Sequence, residues 1–238
     1  MVLTFNRKNL IEKIDIQPRK VAKILYQNAS PSILERKIQS ERFIENLDSV
    51  KENYLKLAEP EGLVKDIEVE LLDKIFAESL PETSTIFKAI SLFRVAAVFV
   101  ATIGQNPETT IQTLARQGDL TRSLFLDAAC SVLTDNLAEY IQKQWEKKIK
   151  KEISEPHRYY SNRYSPGYCN WDVRGQSALM GYMADLDLPV TLTKNGMMHP
   201  VKSISGILVL EEKQEGKTLS GACRFCPDKC KNLRFISS

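Results

Sequence analysis

The run from Ile86 to Ile103 limits the possible folds more than any other stretch of the chain. It is apolar almost all round, so it has to be covered on most of its sides, and it reads as a helix buried within a core. Its most apolar part, Val95 to Ile103, is too short to cross a bilayer, which takes about 20 residues. Thr102-Ile103-Gly104-Gln105-Asn106-Pro107 then supplies a glycine stop and a new start. A second long helix is expected from Leu120 to about Glu152, with Leu124, Phe125, Ala128, Val132, Leu133, Leu137, Tyr140, Ile141, Trp145 and Ile149 along one seam. Asp127 and Asp135 stand among these apolar neighbours. Each is either at the solvated edge of the seam or facing a ligand cleft.

The part before this run is helical scaffold without visible chemistry. Residues 8 to 28 have helical spacing, divided by Pro18. Ser30-Pro31 is a helix start, serine as N-cap and proline at the first helical position. The helix it opens carries an apolar stripe from Ile33 to Leu55. Pro60-Glu61-Gly62 breaks the pattern, and Leu63 to Ile75 fits a strand or a helix. Towards the other end, Asp172 is a candidate N-cap for an amphipathic helix through Ala178, Leu179 and Met183, stopped at Leu188-Pro189. Val190 to Thr193 and Ile204 to Leu210 are β-rich, with an Asn195-Gly196 turn between them, and are expected in one antiparallel sheet.

A chain of 238 residues can bury one sizeable core or two small ones. A net charge of +3 is too small to argue for nucleic acid or a membrane surface. The five lysines from Lys143 to Lys151 read as the solvated C-terminal end of a helix. Met1 to Lys8 lacks the apolar segment of a signal peptide. The five cysteines, odd in number with three in the tail, do not make a secreted disulfide framework. A cytoplasmic location is expected.

The densest chemistry lies in Asn162-Arg163-Tyr164-Ser165-Pro166-Gly167-Tyr168-Cys169-Asn170-Trp171. Pro166-Gly167 is a turn pair. Arg163 offers a planar fork of donors suited to a carboxylate or phosphate. The aromatics offer faces for a purine or a cation. Such a loop can bind a small ligand that carries both a carboxylate and an aromatic base. It also fits an ordinary surface loop stapled down by its aromatics.

Two motifs in order, R-x-S-P-G-Y at 163–168 and V-x-L-T-x-x-x-M-M-x-P at 190–200 leading into S-x-S-G-I at 203–207, resemble the activation domain of vitamin B12-dependent methionine synthase, in particular its stand-alone members. The resemblance runs from about residue 85 to 211. The expected fold is α+β: a helical N-terminal region, 1–80, then a ligand-binding region, 81–212, with a small twisted antiparallel sheet flanked by helices, and a Cys-rich tail, 213–238. The resemblance implies S-adenosylmethionine as ligand. Arg163 and Tyr168 fall on the family's arginine and tyrosine, Gly167 on the residue that lets the backbone approach a ligand, and Tyr164 and Ser165 lie between them. Asp135 takes the position of a ligand-side glutamate and is one carbon shorter; His157 replaces another carboxylate. The implied role is remethylation of cob(II)alamin during reductive reactivation of methionine synthase. No D-x-H-x-x-G motif is present, so the cobalamin would be held by a partner corrinoid chain, with a flavodoxin-like or ferredoxin-like electron donor. The chain would be an accessory factor of a methyltransferase system, not a complete enzyme.

In the tail, Cys223, Cys226 and Cys230 have metal-ligand spacing but leave a tetrahedral zinc one ligand short. Cys169 or His199 would have to supply the fourth, or three cysteines would hold an iron–sulfur cluster. The alternative is a tail of reduced, idle thiols. Two other functions fit the same features: an iron–sulfur protein that delivers an electron to a corrinoid protein, and a non-catalytic docking module for another corrinoid methyltransferase.

Overall fold

In the computed structural model, residues 1–6, 10, 14–77 and 79–213 are described. Strand β3, Phe93–Thr102, is the centre of the molecule. It pairs antiparallel with β2, Glu61–Ile67, on one side and with β7, Ser203–Glu212, on the other. β1, Val2–Phe5, and β4, Tyr159–Tyr164, close the five-stranded sheet at its edges in the order β1-β2-β3-β7-β4. Neighbouring strands are antiparallel throughout.

The run from Ile86 to Ile103 is therefore mostly strand, not helix. Only Thr85–Ala89, α5, is α-helical, followed by a single tight turn before β3 begins. The reason is cover on both faces. Ala97, Phe99 and Ala101 point into one core and Ala96, Val98 and Val100 into another, all fully buried. A strand apolar on both faces carries no alternation, so its sequence reads like a buried helix.

The first core is covered by helices α1 (Pro18–Leu25), α2 (Pro31–Ile38), α3 (Glu41–Asn53), α6 (Asn106–Arg116) and α7 (Leu120–Ile149). The helix expected from Ser30 onward is two helices, because Gln39 and Ser40 break it; Ser30 caps the first by accepting from the Ile33 N–H at 3.4 Å. α7 dominates this layer. Asp119 caps it, accepting from the Arg122 N–H at 3.1 Å, and Lys147 and Lys148 suit its C-terminal dipole. Leu126, Leu137, Ile141 and Trp145 are fully buried along it, each aliphatic one worth roughly 1.5–3 kcal/mol. Leu124, expected on this seam, is 61% exposed; the buried stripe passes through Phe125 and Leu126 instead.

The second core lies under α4 (Leu72–Phe76), α5 and α8 (Gly175–Tyr182). Leu63 to Ile75 contributes both a strand, β2, and a short helix, α4. The β-rich run at 190–193 does not join the main sheet. Its Thr191–Leu192, β5, pairs with Met198–His199, β6, as a separate two-stranded ladder, leaving β7 to lie between β3 and β4. Among the described residues no helix is long and apolar enough to cross a membrane.

Candidate ligand site between the long helix and the edge strand

Pleating decides what β4 presents. Arg163 pairs with Leu208 and Ser161 with Leu210, so both face α7; Tyr164 pairs with Ile207 and faces the second core. The α7 side chains that meet this face recur at one-turn spacing. Ser161 Oγ donates to Glu146 at 2.6 Å and accepts from Gln142 at 3.1 Å. Two turns towards the helix start, Asp135 Oδ1 accepts from Arg163 Nη2 at 2.8 Å. One turn further on, Ser131 Oγ accepts from Lys202 Nζ at 2.8 Å, and Asp127 pairs with the same ammonium at 2.8 Å. Asp127 and Asp135 thus share one polar stripe, which α7 turns towards the connection of β6 and β7 and towards β4.

Arg163 is half spoken for. Its side chain is 19% exposed and that of Asp135 24%. Nη1 of the same guanidinium is buried without a hydrogen-bond partner. An unpaired donor away from water is costly, and an anion with an oxygen at that point removes the cost. Beside it, Asp135 keeps acceptor capacity for a cationic donor.

The segment after Arg163 is a tight loop. Gly167 has φ +92°, in the region that favours glycine, and its N–H donates to the Trp171 carbonyl at 2.7 Å. Cys169 and Asn170 are also left-handed, at φ +53° and +63°. Trp171 anchors the loop from below: it is 1% exposed, lies edge-on to Phe76 at 5.1 Å, and donates to Ser79 Oγ at 3.0 Å. Tyr168, by contrast, is 50% exposed, so its ring is available for stacking. Ser165 occupies the space that Gly206 leaves on β7: a Cβ at Gly206 would meet the Tyr164 carbonyl, Ser165 Oγ at 2.8 Å and Phe99 Cε1 at 3.0 Å. Asp172 accepts from the Arg174 N–H at 2.8 Å just before α8, and the Arg174 guanidinium holds its carboxyl at about 2.

Of the expected site residues, Arg163 and Asp135 meet directly, and Ser165, Gly167 and Tyr168 follow Arg163 in the loop that leaves β4. Tyr164 does not join them with its side chain. It is 6% exposed, its ring stacks on Phe93 at 5.8 Å, and its hydroxyl donates to Glu211 at 2.5 Å. Cys223, Cys226 and Cys230 lie outside the described residues; among the described ones no group of three or more His, Cys, Asp or Glu is arranged to hold a metal. Glu211 and Lys202 escaped the sequence reading. Alternation along β7 was the available signal, since it puts Glu211 on the same inward face as Ile207 and Val209.

Burial pushes the Cys130 thiol up to about 12, with Lys202 and Asp127 acting in opposite directions on it. Burial alone would also raise the Glu146 carboxyl, but hydrogen bonds from Lys150 and Ser161 outweigh it and hold that group below its ordinary 4.5. A depression of about 370 Å³ opens among Ala77, Ser79, Leu80, Pro81, Asn170 and Asp172. Its one charged wall residue, Asp172, is already bonded to Arg174, whereas Arg163 retains a free donor, which places the candidate site at Arg163.

The sequence pattern of the family described as vitamin B12 dependent methionine synthase, activation domain, matches residues 88–217, more than half of the chain. Among solved structures, the crystal structure of the MetH reactivation domain bound to AdoHcy is similar in fold, with a TM-score of 0.61 at 17% identity, covering 93% of this chain and 81% of that one. No curated protein matches.

Proposed function

The chain belongs to the family of the vitamin B12 dependent methionine synthase activation domain, and from that premise we propose that it binds S-adenosylmethionine as methyl donor in the reactivation of a methionine synthase whose cobalamin is carried by a partner chain. One observation carries this reading: Arg163 has Nη2 tied to Asp135 and Nη1 buried without a partner. The methionine end of the ligand is a zwitterion. Its carboxylate suits Nη1 and its ammonium suits the free acceptors of Asp135. The exposed Tyr168 ring offers a face to the adenine, and the Ser165–Tyr168 turn offers backbone groups.

Bound S-adenosylmethionine would supply an electrophilic methyl. A cobalamin on the partner chain, once reduced by one electron from a flavodoxin-like or ferredoxin-like donor, would furnish the electron pair for the new bond, and the C–S pair would stay with sulfur as a neutral thioether. No proton moves, so this chain needs no general acid or base. Its residues hold and orient the donor and keep water from the reacting face. Residues 81–212 carry every group of this site.

The test is calorimetric titration of S-adenosylmethionine into wild type and Arg163→Ala. Loss of a charge-assisted contact costs about 1.5–3 kcal/mol, at least tenfold in affinity. Wild type that binds no ligand, or Arg163→Ala that binds equally well, sinks the donor role.

A further inference from the structure

Glu211 is fully buried on the side of the sheet away from the ligand site, and the proposed function makes no use of it. Both of its oxygens accept from phenols: Tyr160 Oη donates to Oε2 at 2.6 Å and Tyr164 Oη to Oε1 at 2.5 Å. The Tyr164 hydroxyl accepts in turn from Asn162 Nδ2 at 2.9 Å, and the same amide nitrogen donates more weakly to Glu211 Oε1 itself at 3.4 Å. The other end of that amide, Asn162 Oδ1, accepts the backbone N–H of Arg163 at 3.0 Å. A continuous chain therefore runs from Glu211 through Tyr164 and Asn162 to Arg163, whose guanidinium meets Asp135 across the sheet edge.

The chain has a direction, and the carboxylate sets it. An ionised carboxylate only accepts. Tyr164 must then donate towards it and accept from Asn162, whose NH2 is drawn the same way by the longer contact to Glu211, and this turns the amide so that its oxygen faces Arg163. β4 is an edge strand, paired with β7 alone. Side-chain ties such as this one hold it where a second neighbouring strand would otherwise do so.

We propose that Glu211 is a positioning residue for the ligand site, fixing the Arg163 backbone through the Tyr164–Asn162 chain. This rests on the reading of Arg163 as the ligand's anchor. Replacing the acid by its amide removes the fixed direction. When the glutamine NH2 faces Tyr164, the hydroxyl donates to Asn162 instead, the amide turns over, and its NH2 confronts the Arg163 N–H, donor against donor. When it faces Tyr160, the original order stands. Two arrangements then coexist.

The experiment uses the full chain, first without ligand, and follows the Arg163 side-chain nitrogen–proton signal, identified by its loss in Arg163→Lys. Glu211→Gln and Tyr164→Phe should shift or split that signal. Tyr160→Phe, which removes the phenol outside the chain, should leave it in place. Titration with S-adenosylmethionine should then give dissociation constants raised about two- to tenfold for the first two variants, the worth of one neutral hydrogen bond, and within about twofold for the third. An unmoved Arg163 signal in Glu211→Gln and Tyr164→Phe overturns the proposal. So does an equal shift in Tyr160→Phe, because a role in packing alone would not distinguish the two phenols. If wild type takes up no ligand, the donor reading fails while the ligand-free signal still decides this one. If Glu211→Gln does not fold, Tyr164→Phe, which keeps the ring on Phe93, carries the comparison.

Discussion

Gly206→Ala is the most economical perturbation of this architecture, because two effects of opposite sign compete at one atom. Gly206 has no positive φ, so its backbone accepts alanine. In open space the substitution would stabilise by about 0.4–1 kcal/mol by narrowing the unfolded ensemble. Here the new methyl would sit against the Tyr164 carbonyl, 2.8 Å from Ser165 Oγ and 3.0 Å from Phe99 Cε1, where carbon contacts prefer about 3.5–4.0 Å. The nearest of these atoms is backbone and cannot swing away, and Phe99 is fully buried. The end of β4 must move instead. Forcing a methylene into a packed site costs about 1–3 kcal/mol, and each kcal/mol is about 2–4 °C in Tm for a chain of this size. Urea unfolding followed by the fluorescence of Trp145 and Trp171 reads the change. Gly181→Ala on α8 is the control: nothing lies within 4 Å of its added Cβ, and it should stabilise by up to about 1 kcal/mol. A Gly206→Ala protein as stable as wild type would refute the close approach of β4 and β7 and the seating of Ser165 derived from it.

Further outcomes follow from the same geometry. Asp135→Asn should weaken S-adenosylmethionine by about tenfold, while an analogue lacking the α-amino group should bind both proteins alike; equal loss for both ligands would mean that Asp135 serves only to hold Arg163. The Glu146 carboxyl is held below 4.5 in the folded state, so it stabilises above that value and its contribution fades as pH falls from about 4.5 through the lowered folded value. The urea midpoints of wild type and Glu146→Gln should therefore converge as pH falls below about 4.5, and a gap that widens would contradict the assignment. With its thiol pushed up to about 12 by burial, Cys130 should resist iodoacetamide at about pH 8 until denaturant is added, as peptide mapping would show, while the partly exposed Cys169 is alkylated.

The sequence by itself determined what is local. It set the long helix from Leu120, because a seam repeating at three and four residues has one way to be buried. It also set the capped start at Ser30-Pro31 and the tight loop at Pro166-Gly167, because caps and turns are made by neighbours in the chain. It brought Arg163, Gly167 and Tyr168 forward as a group for the same reason.

What the tertiary structure decided is pairing. The burial of Ile86 to Ile103 was legible, yet its form was not: a strand covered on both faces and a buried helix write the same apolar run, and only the presence of β2, β7 and two layers of helix distinguishes them. Thr191–Leu192 was legible as β and still joined β6 instead of β7, since partner choice depends on which strand flanks β3. Asp135 stood out among apolar neighbours, but its meeting with Arg163 depends on where α7 crosses the edge of the sheet. Glu211 looks like an ordinary acid after an apolar run. The register that sets it opposite Tyr160 and beside Tyr164 makes it the buried end of a hydrogen-bond chain, because periodicity records that a side chain is covered, and only packing chooses the group that covers it.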